Sequence, residues 1–192
     1  MAWQTLTYQL TSDCPMIVHS GQLADPLNKW TKMLKAVSSK RKKTDADHEE
    51  MARIEFLGSL YMGPNGPIIP ALNIDGMIIN ASKKNREGPL AKSGVFCNAD
   101  APLVYDGPRT AESLYNDEAF RFVAMVRRGT GRVSATRPIF RKWSAVVKMQ
   151  IEDTIVNPKQ VDDWFVIAGT QIGLGDWRPQ HGRFSAQRMN DK

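Results

Sequence analysis

The amino-acid sequence predicts an α+β fold, in which an antiparallel sheet packs against helices. Residues 5–10 and 143–151 alternate polar and apolar side chains, which is the pattern of half-buried strands. Residues 74–81 and 157–172 instead place apolar side chains at helical spacing, so helices separate the strands along the chain. A glycine turn at residues 129–131 lies between two more strand-like segments and predicts a β-hairpin.

A helix is predicted to follow the first strand. Asp25 supplies a capping oxygen, Pro26 suits the first helical position, and apolar residues recur on one face behind them. Residues 38–47 contain the basic run 40–43 and are too polar to pack. We therefore expect an exposed connection there that touches phosphate when a ligand is bound. A second helical stretch is predicted near residues 49–55.

The middle of the chain combines a buried helix with a long irregular segment. Residues 67–80 predict a short apolar strand and a proline turn that lead into the helix. Three basic residues then follow, and they suit the negative end of the helix dipole about as well as a phosphate contact. Residues 86–117 are punctuated by Gly, Pro and Asp. We expect one domain, residues 1–192, with residues 86–117 as an insertion of only short structure.

Basic charge is concentrated in the stretch from Arg121 to Lys148, which carries eight Lys or Arg residues and no Asp or Glu. Such a segment suits an acidic partner, and phosphate is the commonest one. A planar guanidinium group binds phosphate through two hydrogen bonds or stacks on a base. The alternatives are a solvated charged face for the whole stretch and, for the hairpin arginines, simple protection of an edge strand. The candidate nucleic-acid-binding residues of the hairpin are Arg127, Arg128, Arg132 and Arg137.

A glycine-rich segment, residues 169–184, follows the last helix, which begins at residues 157–158. Glycine permits positive φ angles and lets a backbone approach a ligand, and Arg178 and Arg183 add charge beside the expected free amides. The alternative interpretation is a helix C-cap followed by a tight turn. A final strand is predicted through about Arg188.

The predicted elements follow the order strand, helix, strands, helix, glycine loop and strand. This is the order of a ferredoxin-like or RRM-like fold, a four-stranded antiparallel sheet with two main helices on one face. The basic hairpin and the insertion of residues 86–117 are additions to that plan.

Two segments resemble motifs of the RAMP superfamily, the RRM-like proteins of CRISPR ribonucleoproteins. The glycine-rich segment near the C-terminus is similar to the family's glycine-rich loop. Residues 69–76, Ile-Pro-Ala-Leu-Asn-Ile-Asp-Gly, are similar to the family's Ile-Pro-Gly-Ser-Ser-Leu-Lys-Gly segment, with Ala71 and Asp75 in place of its usual Gly and Lys. The overall arrangement also resembles small proteins of tailed bacteriophages, which suggests a bacteriophage-encoded relative.

The resemblance implies that the sheet and the glycine loop bind single-stranded RNA, with several copies assembling along the strand. The expected partners are a single-stranded nucleic acid, RNA or DNA, and either further copies of the chain or a ribonucleoprotein partner. Arg178 is a candidate nucleic-acid-binding residue because of its charge within the glycine-rich segment, independently of the resemblance. The resemblance adds Gly173, Gly175, Gly182 and Arg183 in the loop and Gly76 in the upstream segment.

Composition and the N-terminal pattern indicate the cellular compartment in which the protein is expected. The two cysteines, Cys14 and Cys97, are too few for a disulfide framework and lack the spacing of a zinc site. Residues 1–10 alternate instead of forming a signal peptide, and no apolar run reaches membrane-spanning length. We expect a cytoplasmic protein, in the host cytoplasm if it is viral, with reduced thiols, no membrane contact, no metal and no cofactor.

Two other function classes stay open beside non-catalytic binding. One is a metal-independent RNA endonuclease with His181 as the general acid. No nucleophile elbow, P-loop or metal-ligand cluster points to another reaction. The other is a phage-type interaction or self-assembly module that engages a host ribonucleoprotein. Apolar residues of the insertion would then either dock a partner or form a lid over the protein's own core: Leu103, Val104, Tyr105, Leu114 and Tyr115.

Overall fold

The computed structural model describes residues 3–189, except for the side chain of Arg128. Ten strands lie in this part of the chain: Trp3–Ser12 (β1), Met16–Ile17 (β2), Met62–Gly63 (β3), Gly66–Ile69 (β4), Val95–Cys97 (β5), Ala101–Pro102 (β6), Arg121–Arg128 (β7), Gly131–Phe140 (β8), Ser144–Glu152 (β9) and Phe184–Met189 (β10). The α-helices of the same residues are Lys29–Ser38 (α1), Asp45–Ser59 (α2), Ala71–Ser82 (α3), Gly88–Gly94 (α4), Ala111–Asn116 (α5) and Pro158–Ile167 (α6). None of these helices is long and apolar enough to cross a membrane.

The main sheet has the strand order β10-β1-β9-β5, and every neighbouring pair is antiparallel. Alternate residues of β1 and β9 point into the core, as the buried pairs Leu6–Met149 and Tyr8–Val147 show. Helices α3 and α6 contribute to the same apolar core. The Tyr8 ring stacks on Phe165 of α6 with a centroid separation of 3.9 Å. The predicted α+β class with antiparallel strands is therefore confirmed.

Helix α6 begins where its sequence signals place it. Asn157 Oδ1 accepts a hydrogen bond from Gln160 N, and Gln160 Oε1 accepts one from Asn157 N, each at 3.0 Å. This reciprocal cap satisfies two amides that have no partner inside the helix. Gln160 Nε2 and Trp164 Nε1 also donate to the Glu87 carboxylate and lower its pKa. The bonds to Glu87 tie α6 to the start of α4, and a π-helical turn then leads the chain towards the glycine-rich segment.

Strands β7 and β8 form the predicted hairpin, and β2 completes a second sheet beside it. The hairpin loop has two residues, Gly129 and Thr130, because Arg128 pairs with Gly131. The predicted loop of three residues was therefore one residue too long. Gly129 adopts a φ of +61°, a conformation that tight hairpin turns require and that glycine tolerates best.

Helix α1 begins later than predicted. Its cap is Asn28, whose side chain accepts a hydrogen bond from Trp30 N. The Asp25 carboxylate instead accepts a hydrogen bond from Leu27 N and closes a turn. Aspartate serves turns as well as helix caps because its short side chain bonds to the backbone two residues on. The helix therefore starts at Lys29, and none of its residues is fully buried.

The segment of residues 86–117 belongs to the main sheet and to the core. It supplies α4, β5, β6 and α5, and β5 pairs with β9 at the sheet edge. Leu103, Tyr105 and Leu114 are buried, whereas Val104 is exposed. Most of these apolar side chains therefore cover the protein's own core, which favours the lid interpretation over a docking element.

Candidate nucleic-acid interface

Residues 173–183, which we call the glycine loop, connect the π-helical turn to β10. A Cβ on Gly182 would lie 1.7 Å from Leu174 O, and one on Gly175 would lie 2.2 Å from Ile17 O. Neither distance is compatible with a side chain, so glycine is required for the backbone to pass at these points. Positive φ angles add to the requirement at three residues: Gly173 (+75°), Gly175 (+82°) and Gly182 (+76°).

Several amides of the glycine loop are engaged within the protein. Gly173 N donates to Ala168 O at 2.7 Å, and Gly182 N donates to Pro15 O at 2.8 Å. The amides of Gly173 and Gly182 are therefore not free for a ligand, contrary to the expectation from sequence. These two glycines have a structural role, which is to let the backbone of the loop adopt its path. Gly175 differs because it lines an open groove.

This first groove, which we call the α3 groove, has a volume of about 330 Å³ and lies between helix α3 and the glycine loop. Gly76 stands on the α3 side, and Gly175 and Arg178 stand on the loop side. The segment of residues 69–76 and the glycine loop therefore face each other across the same groove. The other lining residues are His19, Tyr61, Leu72, Asn73, Asn80, Leu174 and Asp176.

Gly76 lies inside a helix, where glycine is about 1 kcal/mol less favourable than alanine. Apart from its own helical backbone, no described heavy atom lies within 4 Å of the position of a Cβ on Gly76. Packing therefore does not require glycine here, whereas close approach of a ligand to the helix backbone would.

The neighbouring Asp75 has a structural role. Its carboxylate accepts a hydrogen bond from Cys97 N at 2.7 Å and so ties α3 to β5. Partial burial raises the pKa of this carboxyl group. Asp75 is therefore directed to the sheet and not to a ligand.

A second groove, which we call the β7 groove, has a volume of about 390 Å³ and lies between strand β7 and the glycine loop. Phe122 of β7 meets Trp177 edge-on with ring centroids 5.3 Å apart, and the His181 ring lies 5.9 Å from Phe122. Arg127 lines the same groove. The basic hairpin and the glycine loop therefore converge, although about fifty residues separate them in the sequence.

The turn of residues 176–178 separates the two grooves. Arg178 lines the α3 groove, and Trp177 lines the β7 groove. Trp177 has a φ of +50°, which is unfavourable for a bulky residue and is held by hydrogen bonds on either side of it. Before it, Asp176 N donates to Ile17 O at 2.7 Å and Asp176 Oδ1 accepts from Trp177 N at 3.0 Å; after it, Trp177 O accepts from His181 N at 3.2 Å. Backbone strain of this kind is concentrated at ligand sites, where it fixes the direction of a side chain.

Arg137 is unavailable to a ligand, which corrects its assignment as a nucleic-acid-binding residue. The side chain is buried, and its Nη1 lies 2.9 Å from Glu55 Oε1. Its Nε lies 4.0 Å from Asp176 Oδ2, at the base of the glycine loop. The hairpin register places Arg137 opposite Phe122, on the side that faces the loop. The charge of Arg137 is therefore neutralised within the protein, where it supports the turn of residues 176–178.

The remaining nominated arginines are dispersed. Arg132 is exposed and lines a different groove, on the side of the hairpin that faces α1 and α2. Arg183 is also exposed, and its amide donates to Cys14 Sγ at 3.2 Å. The side chain of Arg128 lies outside the described residues. The two arginines that the structure places in the grooves beside the glycine loop are therefore Arg127 and Arg178.

The outer face of the main sheet carries two aromatic rings. Trp3 and Phe96 are 51% and 39% exposed, and their ring centroids lie 5.5 Å apart. Lys148 is exposed on the same face. Exposed rings on a sheet provide flat surfaces on which unpaired bases stack.

The histidines differ in their surroundings. His181 Nδ1 is buried and has no hydrogen-bond partner among the described residues, and the His181 ring lines the β7 groove. His19 Nδ1 lies 3.1 Å from Ser59 Oγ. Within residues 3–189, no three His, Cys, Asp or Glu side chains are grouped to hold a metal ion.

No family model matches the chain, and no curated protein matches it. The ligand is therefore inferred from the residues of the grooves. Sequence reasoning missed several of these residues, although an aromatic residue inside a glycine-rich segment beside Arg178 was a usable signal for Trp177. The missed lining residues are Tyr61, Asn73, Asn80, Phe122 and Trp177.

Proposed function

We propose that the chain is a non-catalytic protein that binds single-stranded nucleic acid, RNA in preference to DNA, along the glycine loop. The observation that carries the proposal is the meeting of two grooves at the turn of residues 176–178. One groove supplies Arg178 and the helix backbone at Gly76, and the other supplies Arg127 and the Trp177 ring. Cations beside aromatic rings are the combination that single-strand binding uses.

We further propose a ferredoxin-like plan for the main sheet. Of its four strands, β1 is first in the chain, β5 second, β9 third and β10 fourth, so the spatial order is fourth, first, third, second. Helix α3 lies between the first and second of these strands, and α6 between the third and fourth. Both the order and the helix positions support this plan, with the hairpin of β7 and β8 inserted before the third strand.

The two grooves are expected to contact different parts of the nucleic acid, because their lining residues differ in chemistry. In the β7 groove, Trp177 would stack on a base while Arg127 contacts a phosphate. In the α3 groove, the amides of Asn73 and Asn80 offer donors and acceptors that suit a ribose hydroxyl. An unpaired strand fits this arrangement because its bases are free to leave the stack, whereas duplex bases are not.

The proposal is tested by binding isotherms for a labelled single-stranded RNA, the matching single-stranded DNA and the duplex, at about 50 mM and about 200 mM salt. We expect the RNA to bind most tightly and all affinities to fall with salt. Failure of every ligand to bind at the lower salt concentration would refute the proposal. Cleavage of the RNA that is abolished by His181→Ala would instead support the endonuclease alternative.

Gly76→Ala is expected to separate stability from binding. The free energy of unfolding should rise by about 0.5–1 kcal/mol, because alanine is the better helix former and the site has room for a methyl group. RNA affinity should fall, because the methyl group projects into the α3 groove. Urea unfolding and the RNA isotherm measure the two effects on the same sample. An unchanged affinity would remove the α3 groove from the interface.

We further propose that the outer face of the main sheet adds a stacking surface for the same RNA. Phe96→Ala is therefore expected to weaken RNA binding by about 1–3 kcal/mol, the range for loss of one base-stacking ring. Val146→Ala is the matched control, since Val146 is also 39% exposed but has no ring. Fluorescence anisotropy with the same labelled RNA gives both affinities. Equal effects of the two substitutions would show that the outer face of the sheet is not a stacking surface.

A further inference from the structure

Four consecutive basic residues, 40–43, lie in the connection between α1 and α2. None of them lines the α3 groove or the β7 groove. Lys40 is paired with Asp47 at 2.5 Å, and Lys43 Nζ donates to Lys40 O at 2.9 Å. These bonds hold the connection against the start of α2, which begins earlier than predicted because Thr44 and Asp47 cap it reciprocally. The basic run is therefore held in a defined position on the surface of the protein.

A third groove, which we call the β8 groove, lies between strand β8 and helices α1 and α2, with a volume of about 560 Å³. Lys43, His48 and Arg132 line it, and Leu34 and Met51 provide apolar wall. The acidic residue in its lining is Glu55. Its carboxylate is already engaged, since Oε1 lies 2.9 Å from Arg137 Nη1 and Oε2 accepts from Thr136 N at 2.9 Å. The groove therefore presents positive charge above an apolar wall, which suits phosphates and bases.

The hairpin connects this groove to the β7 groove. Arg127 and Arg132 are directly opposite each other in the register, yet Arg127 lines the β7 groove and Arg132 lines the β8 groove. Like charges directly opposite in a hairpin are destabilising. A bound polyanion that passes the hairpin would offset this repulsion, because each guanidinium group would then face a phosphate.

We propose that the strand held beside the glycine loop continues past the hairpin tip and enters the β8 groove, where Lys43 and Arg132 bind its phosphates. This inference rests on the proposed function and assigns the basic run of residues 40–43 to the same ligand. The β7 and α3 grooves then form the primary site, which a short oligonucleotide fills. The β8 groove is an extension that only a longer strand reaches.

Oligonucleotide length tests the inference, with single-stranded RNAs of about 4 and about 16 nucleotides, the limits of typical single-strand sites. For Lys43→Gln/Arg132→Gln, we expect the affinity for the longer RNA to fall about a hundredfold or more, as loss of two charge-assisted contacts implies. The affinity for the shorter RNA should stay at the wild-type value. The matched control is Lys32→Gln/Lys35→Gln, which removes two exposed charges from α1 outside the lining of the β8 groove.

The outcomes distinguish this inference from the proposed function. If Lys43→Gln/Arg132→Gln leaves the longer RNA unaffected while Arg127→Gln/Arg178→Gln weakens it, the extension is wrong and the primary site stands. If the Lys43 and Arg132 variant weakens both RNAs equally, the β8 groove is not an extension, and the inference is also wrong. If neither RNA binds the wild-type protein, the proposed function fails together with the extension.

Discussion

Replacement of Gly182 by alanine is expected to lower the free energy of unfolding by about 3 kcal/mol or more. The left-handed conformation costs a non-glycine residue roughly 1–2 kcal/mol. The new Cβ would also lie 1.7 Å from Leu174 O, and neither group can move without backbone displacement. Such displacement disturbs two hydrogen bonds, from Gly182 N to Pro15 O and from Leu174 N to Gly182 O, each worth about 1 kcal/mol.

Gly129→Ala is the matched control for this prediction. Gly129 has a φ of +61°, but no described heavy atom lies within 4 Å of the position of its Cβ. The control therefore adds the conformational cost without the collision, and we expect a loss of about 1–2 kcal/mol. Urea unfolding followed by far-UV circular dichroism measures both variants. Equal losses would mean that the close approach at Leu174 does not constrain the glycine loop.

Arg127→Gln/Arg178→Gln is expected to weaken the binding of single-stranded RNA about a hundredfold or more. Each arginine supplies a charge-assisted contact to phosphate, and such contacts contribute about 1.5–3 kcal/mol each. Folding should be unaffected because both side chains are exposed and neither forms an ion pair among the described residues. Fluorescence anisotropy at fixed salt concentration measures the change.

Lys92→Gln/Lys159→Gln controls for net charge, since it removes two exposed lysines of α4 and α6 that line neither groove beside the glycine loop. Its RNA affinity should stay within about threefold of the wild-type value, because only long-range attraction is reduced and salt screens that term. A comparable loss in the control and in the arginine variant would mean that binding depends on overall charge and not on the two grooves.

The parts of the fold that could be predicted from sequence are those with strong local signals. The alternation of β9 and the reciprocal cap at Asn157 each depend on residues that are close in the chain. Strand β5 was not predicted, because its three residues are too few to show a period and its pairing with β9 is long-range. The start of α1 was displaced because the same Asp25 side chain that caps helices also closes turns.

The candidate site also combines features that could be predicted from sequence with features that could not. The glycine-rich segment and the hairpin arginines were recognisable from composition, but their partners were not. Glu55 lies 82 positions before Arg137, and only the folded hairpin brings this pair to 2.9 Å. Conversely, the particular ring contact of Phe122 with Trp177 could not be anticipated, since no short-range pattern singles out these two residues.

The salt dependence of RNA binding tests most directly whether Arg127 and Arg178 belong to one phosphate-binding surface. The logarithm of the binding constant falls with the logarithm of salt concentration by about 0.7 for each phosphate contacted on a single strand. The slope of Arg127→Gln/Arg178→Gln should therefore be smaller than that of the wild-type protein by about 1.4, and each single variant should account for about half of this difference. Equal slopes for the double variant and the wild-type protein would contradict the account, because neither arginine would then contact phosphate.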